Sequence, residues 1–429
     1  MSRTAPELEE LVSAEVPASS PGRLIWILGL GAFGLAYSIT TVAAYLPPVL
    51  ARFTDSSTLI GLVLAAEGVF AFFVPFLVGP MSDATQTPLG RRRPYMLLAL
   101  GPMAVTLALV AFMPNLFLTA LALFGFFFAY YVYEPPYRGL YPDVLSPDVF
   151  GRSQGVQHLL RGLALGCGLV GGGFLLSVWE PFPFVLASVV TALACGSVIV
   201  LVREHERQAQ RVPRLSVLLG TPIRIVRREP DVRRFLIANA AWEAAFAGMR
   251  TFVVLYVIRG LDQPLYVSSV VLACVAGGYV AAAAVASRFG DRFGLGAVIL
   301  GASVVYGLGL LGAGLATTWH WWYTAVIFFV AVAAGTVMTL SWGLLFKLMP
   351  ESDRGAISGL ALTTKGLGLL VGPLAVGAAI DISSPYLEST DGYGIVWPVV
   401  AIPILLAIPL VARLAEAERA TDRAKGAAA

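Results

Sequence analysis

Twelve stretches of this chain are apolar for about 20 residues or longer, the length an α-helix needs to cross the hydrocarbon core of a bilayer. They run over 24–51, 57–81, 94–113, 116–142, 154–179, 182–202, 232–258, 264–287, 296–316, 321–347, 355–381 and 392–412. In lipid, every backbone polar group must be satisfied within the spanning segment, so each run reads as a helix. The fold class is therefore an all-α membrane protein with twelve transmembrane helices. Composition agrees: 58% of the 429 residues are hydrophobic and 13% are charged, against roughly 25% charged in soluble domains. This balance excludes a soluble enzyme, a disordered chain and a nucleic-acid binder.

Net charge is only +3, so the placement of charge carries more than its sum. The 2–3 loop holds Arg91, Arg92 and Arg93, and the middle segment 203–234 holds nine Arg. Arg288, Arg292, Lys347 and Arg354 lie in the other even loops, while the odd loops offer Arg52 and Arg259. Basic residues mark cytoplasmic loops, so both termini are expected in the cytoplasm of a plasma (inner) membrane protein. Residues 1–23 are polar, with Glu7, Glu9, Glu10 and Glu15, and are expected to form a cytoplasmic tail rather than a signal peptide. Trp319, Trp321 and Trp322 cluster at an outer helix end, as interfacial aromatics do.

The chain repeats itself. RGLALGCG from Arg161 to Gly168 matches KGLGLLVG from Lys365 to Gly372 at an offset of 204 residues. Asp83 ahead of its Arg cluster is echoed by Asp291-Arg292-Phe293-Gly294, and Pro147-Asp148 by Pro350-Glu351. This divides the chain into a six-helix half at 24–202, a cytoplasmic middle loop at 203–231, a second half at 232–412 and a tail at 413–429. Paired halves imply alternating access around a site near the midplane.

Residues 79–94 read GPMSDATQTPLGRRRP. A Gly, an Asp four later, then a Gly and a basic cluster resemble the 2–3 loop signature of the major facilitator superfamily. The long form ending in Gly-Arg-Arg-Arg-Pro is similar to the glycoside–cation symporters, above all the sucrose–proton symporters. Pro136-Tyr-Arg138-Gly-Leu140 with Asp143 resembles their Pro-x-Arg-Ala-Leu segment and its trailing Asp. The resemblance implies two pseudo-symmetric six-helix bundles, with helices 1, 4, 7 and 10 lining a cavity and 3, 6, 9 and 12 facing lipid. It implies transport of a sugar, a disaccharide or glycoside, with a coupled cation. The sodium-binding acids of the melibiose branch fall on Ala71 and Pro75 here, which leaves the proton as the coupling ion. Gly79, Asp83, Gly90, Arg91, Arg92, Arg93, Asp291 and Arg292 form the expected cytoplasmic gate. In it, Asp83 can accept from backbone N–H groups at a neighbouring helix N-terminus; the alternative is a plain positive-inside anchor.

Charges within a bilayer are expensive and default to functional roles. The candidates are Glu67, Glu134, Arg138, Arg161, Glu243, Arg250 and Lys365, and the spans of helices 3, 6, 9 and 12 carry none. Structural alternatives stand beside them. Glu134 and Arg138 can form an ion pair one turn apart, and Arg161 and Lys365 can clamp Glu67 across the bundles. Arg250 can pair within the bundle or snorkel outward. Glu243 has no basic residue three or four positions away. A sugar needs bidentate polar partners, available from Arg161, Arg138, Glu243 and Asn239. It also needs aromatic faces, available from Tyr37, Tyr45, Trp242 and Trp342, although aromatics in membrane helices also serve as packing. A carboxyl group in a dry cavity favours its neutral form and can load and release a proton, with Glu243 and Glu67 the first choices.

Three Gly-x-Gly-x-x-Gly matches (Gly29–Gly34, Gly166–Gly171, Gly307–Gly312) lie inside apolar runs and read as helix-packing faces. Cys167, Cys195 and Cys274 are scattered, and neither they nor the three His match a metal spacing. No cofactor, metal or nucleic-acid partner is expected; the partners are a small-molecule substrate, a proton and lipid, and a monomer is expected. The rival readings are an exporter of drugs or organic anions by proton antiport, and a non-transporting sensor or scramblase. No nucleophile–base pair suggests an enzyme.

Overall fold

The computed structural model describes residues 21–146, 149–204, 224–350 and 354–428. The N-terminal tail, Pro147, Asp148, Glu351 and most of the middle loop lie outside the described residues.

Among the described residues, twelve long helices follow one another. The first half contains α1 (Pro21–Leu50), α2 (Ser57–Ala84), α3 (Arg93–Leu109), α4 (Leu116–Val144), α5 (Phe150–Val178) and α6 (Phe182–Leu201). The second contains α7 (Pro230–Leu255), α8 (Leu265–Phe293), α9 (Leu295–Ala313), α10 (Tyr323–Leu348), α11 (Arg354–Ser383) and α12 (Val396–Ala428). All twelve are long and apolar enough to span a bilayer, so this is a multi-pass membrane protein. Local chemistry sets several ends. Ser56 caps α2 by accepting from the Leu59 N–H, and Asn115 caps α4 by accepting from the Leu118 N–H. Gly294, at φ +88°, turns the chain from α8 into α9 in a single residue, a conformation open to glycine. An even number of crossings puts the start of α1 and the end of the membrane-crossing part of α12 on one side, called here the terminal side; the other is the distal side.

The packing pairs of one half recur in the other. Helix α1 packs on α5 and α6, α2 on α4, and α3 on α4 and α6; α7 packs on α11 and α12, α8 on α10, and α9 on α10 and α12. Adding six to each helix number converts the first set into the second, so the internal repeat seen in the sequence is a repeat of structure. The halves meet through α2 with α11, α5 with α8, and α1 with α7. The core follows from this. In its most apolar stretch, α1 is 78% buried and α7 61%, whereas α3 and α9 are 28% and 33% buried. Leu98, Phe117, Leu193 and Leu406 lie on the outer surface, as lipid-facing positions do.

Glycines set how closely the halves approach. A Cβ on Gly61 would meet the Pro373 carbonyl, one on Gly68 would meet the Leu370 amide, and one on Gly377 would meet the Ser57 carbonyl. Backbone therefore touches backbone along the distal part of the α2–α11 seam.

Candidate functional site

The charged residues of α2, α4, α5, α7 and α11 converge between the halves. Glu67 on α2 is 5% exposed. One carboxylate oxygen accepts from the Arg250 guanidinium on α7, in an ion pair that joins the halves. The other accepts from the Tyr131 hydroxyl on α4 at 3.3 Å. The partner of Glu67 is thus Arg250, not Arg161 or Lys365, and Arg250 neither pairs within its own bundle nor snorkels outward. Its Nε remains buried without a hydrogen-bond partner.

Glu134 and Arg138 form the i, i+4 pair expected on α4, with Nη2 2.6 Å and Nε 2.9 Å from the same carboxylate oxygen. The Arg138 side chain is 44% exposed. Glu134 is within electrostatic range of Arg161 and of Lys365 on the opposite half, yet neither makes an ion pair with it among the described residues. Glu134 on one half and Lys365 on the other are thus opposite charges within range of each other but not in contact. Glu243 is half-buried and within range of Lys365, Arg250, Tyr279 and Tyr306, with no ion pair of its own among the described residues.

The neutral candidates divide. Asn239 is buried, and its amide donates to the Ala361 carbonyl (3.3 Å) and the Thr364 hydroxyl (3.0 Å), joining α7 to α11 within one half. Trp242 is fully buried against Phe235. Tyr45 is fully buried, donates to the Leu169 carbonyl and lies on Gly172, so it packs α1 on α5. Tyr37 stacks on Phe33 with centroids 6.0 Å apart. Trp342 alone of the four aromatics is half-exposed, tilted against Phe346. Tyr131, absent from the sequence-level set, belongs with Glu67; a Tyr in an aromatic run gives no sign of it.

On the terminal side, the 2–3 loop folds onto its own half. Arg91 and Arg92 donate to Asp143 at 2.7 and 2.6 Å, and Arg93 donates to the Ile199 carbonyl. Arg92 lies across Gly139, where a Cβ would strike the guanidinium. Asp83 Oδ1 sits 2.8 Å from Arg92 Nη2 but makes no hydrogen bond. Gly79 has open space around it, and Gly90 turns at φ +102°.

Two carboxylates that sequence reasoning passed over organise these loops. Glu204, just past α6, accepts from the amides of Arg91, Arg92 and Arg93 at 2.8–3.1 Å. Glu418, 1% exposed on α12, accepts from the Leu295 and Gly296 amides and from Lys347, which also reaches Asp422. Each carboxylate satisfies the free N–H groups at a helix start, where negative charge is favoured. The structural counterpart of the 2–3 loop therefore runs through Gly294 and Glu418. Asp291 and Arg292 are exposed, and Arg292 lies over the Phe293 ring. Glu204→Ala or Glu418→Ala is expected to lower stability by about 1–2 kcal/mol, as loss of a helix cap does. Thermal unfolding in detergent reads this as an earlier midpoint for either variant.

Two repeated helical halves with buried charges between them fit a membrane protein of the transporter class. Residues 28–422 match the family model of the Major Facilitator Superfamily, and the chain belongs to that family. Among solved structures, the nucleoside transporter NupG aligns with a TM-score of 0.70 at 16% identity, over 92% of this chain and 99% of its own. A bacterial homologue of the human lysosomal transporter Spinster, inward-facing and unoccupied, aligns at 0.69 and 14% identity, over 96% and 98%. PepTSo2 aligns at 0.72 and 11%, over 94% and 100%. At these identities the likeness is one of fold. No curated protein sequence matches the chain.

Proposed function

We propose that the chain is a secondary active transporter that carries a sugar, a disaccharide or glycoside, by alternating access with a symported proton. The terminal side is read as the cytoplasm, since the basic loops lie there. The observation that carries this reading is the Glu67–Arg250 bridge. It joins the halves beside Glu243, which has no ion pair among the described residues, at the depth where substrate and coupling ion must exchange. An acid that holds an inter-half bridge while ionised releases it when protonated, which ties proton binding to the rearrangement of the halves. Among the described residues no cation contacts Glu243 to fix it in the charged form, and it is assigned the proton-carrying role with Glu67. Arg138, Arg161 and the half-exposed Trp342 face the substrate in this reading. The family resemblance of Gly90 through Pro94 supports sugar as the cargo.

A second reading is favoured by one observation: Arg161 and Lys365, 204 residues apart and one from each half, are both without ion pairs among the described residues. Such a pair suits an organic anion. Adding sucrose or maltose to proteoliposomes is expected to draw protons in with the sugar and alkalinise the medium, and Glu243→Gln is expected to abolish that signal. Sugar entry with no proton movement removes the coupling. Failure of both sugars to enter, with organic anions entering instead, replaces the sugar reading with the second.

A further inference from the structure

On the distal side, one carboxylate of the second half seats on a helix start of the first. Asp381 lies in the last turn of α11. Its Oδ1 accepts from the Ser57 amide at 2.7 Å, and its Oδ2 accepts from the Thr58 amide at 2.9 Å and the Ser56 hydroxyl at 2.8 Å. Ser57 and Thr58 open α2, so their N–H groups have no partner inside the helix, and a negative charge there is favoured by the helix dipole. Around this contact, the Ser57 hydroxyl donates to Tyr393 at 3.5 Å. Arg259, in the π-turn that ends α7, donates to the Ala51 carbonyl and lies 3.9 Å from Asp55. Gly377, one turn before Asp381, brings α11 against the Ser57 carbonyl. These contacts and Glu67–Arg250 join the halves, and all lie from the midplane toward the distal end. The gate contacts described on the terminal side stay within one half.

Helices α2 and α11 run antiparallel along the seam. Each ends in an aspartate, Asp83 on the terminal side and Asp381 on the distal side. Asp381 is seated on the start of the other helix, whereas Asp83 pairs with Arg92 of its own half.

We propose that Asp381 is the distal latch of the transport cycle. Its carboxylate, by capping α2 from the opposite half, holds the distal side closed, and its release is a required step in opening the cavity there. This rests on the alternating-access reading, but not on the identity of the cargo. Three charge-assisted hydrogen bonds to one carboxylate are the strong kind. They form only when the two helix ends meet, so they differ between the two states of the protein and can bias them. Ser56 and the two following amides remain capped by water when the latch opens, so opening leaves no buried donor behind.

The test reads accessibility at places remote from Asp381. With Cys167, Cys195 and Cys274 replaced by Ser, Ser269→Cys places a thiol at the α5–α8 seam, where Ser269 abuts Gly173. In a second protein, His158→Cys places one toward the terminal end of α5, within range of Arg138 and Arg161. An impermeant thiol reagent is applied to the distal side for the first and to the terminal side for the second. Asp381→Asn is expected to speed Ser269→Cys labelling about tenfold and to slow His158→Cys labelling, as a shift between two states requires. Asp381→Glu, which keeps the charge, is expected to stay near the unsubstituted rate. Unchanged labelling at Ser269→Cys overturns the latch. A rise at both reporters also overturns it, because that marks general loosening rather than opening of one side. No substrate is needed, so a failure here is separate from a failure of the sugar reading.

Discussion

Glu67→Gln is expected to reduce gradient-driven accumulation of the substrate to the level of empty liposomes. Among the described residues, Glu67 is the one acid that touches a cation of the other half near the midplane, with Tyr131 on its second oxygen. Removing one partner from a buried pair costs about 3–5 kcal/mol, because the remaining charge is left uncompensated. Against a tenfold change for every 1.4 kcal/mol, this exceeds about a hundredfold in the balance between states. Gln can still accept from Tyr131, so the local packing survives and the change isolates the charge. Arg250→Lys, which keeps a cation on α7, is expected to retain part of the activity, whereas Arg250→Gln is expected to match Glu67→Gln. Uptake of labelled substrate under an inward proton gradient decides it. Full accumulation by Glu67→Gln shows the bridge to be structural only.

Gly68→Val is expected to have a comparably large effect through geometry alone. A Cβ at Gly68 meets the Leu370 amide, the Gly366 carbonyl and the Leu370 Cα, all backbone atoms of the opposite half. Backbone cannot swing away as the tip of a side chain can, so α2 and α11 are pushed apart on the distal side. Overpacking of this kind costs about 1–3 kcal/mol in a closed core, and here the cost falls only on the state in which the seam is closed. Transport is expected to fall by about five- to a hundredfold, with distal labelling of Ser269→Cys increased. Gly171→Val, where no atom lies within 4 Å of the added Cβ, serves as the control and is expected to transport normally. Normal transport by Gly68→Val means that the seam does not need to close as tightly as it does here.

The elements were legible because bilayer thickness sets helix length so narrowly. Each of the twelve apolar runs became a helix; most ends fall within a few residues of the expected ones, but α8 ends at Phe293 rather than 287, and α12 continues to Ala428 through the stretch expected as a tail, because a polar helical extension beyond the bilayer carries no apolar signal. The repeat was legible as well: RGLALGCG and KGLGLLVG lie on α5 and α11, which occupy equivalent places in the two halves. Helix phase was harder. Trp242 and Glu243 are neighbours in sequence, but on a helix they point about 100° apart. One is sealed against Phe235 and the other is free of ion pairs near Lys365. A count of charges per span does not give that direction, and for the same reason it does not show that Asn239 and Tyr45 are buried.

Partners across the halves were not legible at all. Glu67 meets Arg250 across 183 residues of chain and Asp381 meets Thr58 across 323, separations with no local pattern to mark them. Glu204 and Glu418 escaped notice because an acid just beyond a membrane helix looks like ordinary solvated surface. Their role depends on a glycine turn bringing a helix start beneath them, at Gly90 and at Gly294. The 2–3 loop motif was visible as residues, but its folding onto its own half through Asp143 and Glu204 was not.

The most direct measurement is uptake of labelled sucrose and maltose into proteoliposomes, with and without an inward proton gradient. Accumulation above the equilibrium level that requires the gradient, and that disappears in Glu67→Gln and Glu243→Gln, is the expected result. Equal uptake of sugar with and without the gradient, or exclusion of both sugars by intact protein, contradicts proton-coupled sugar symport.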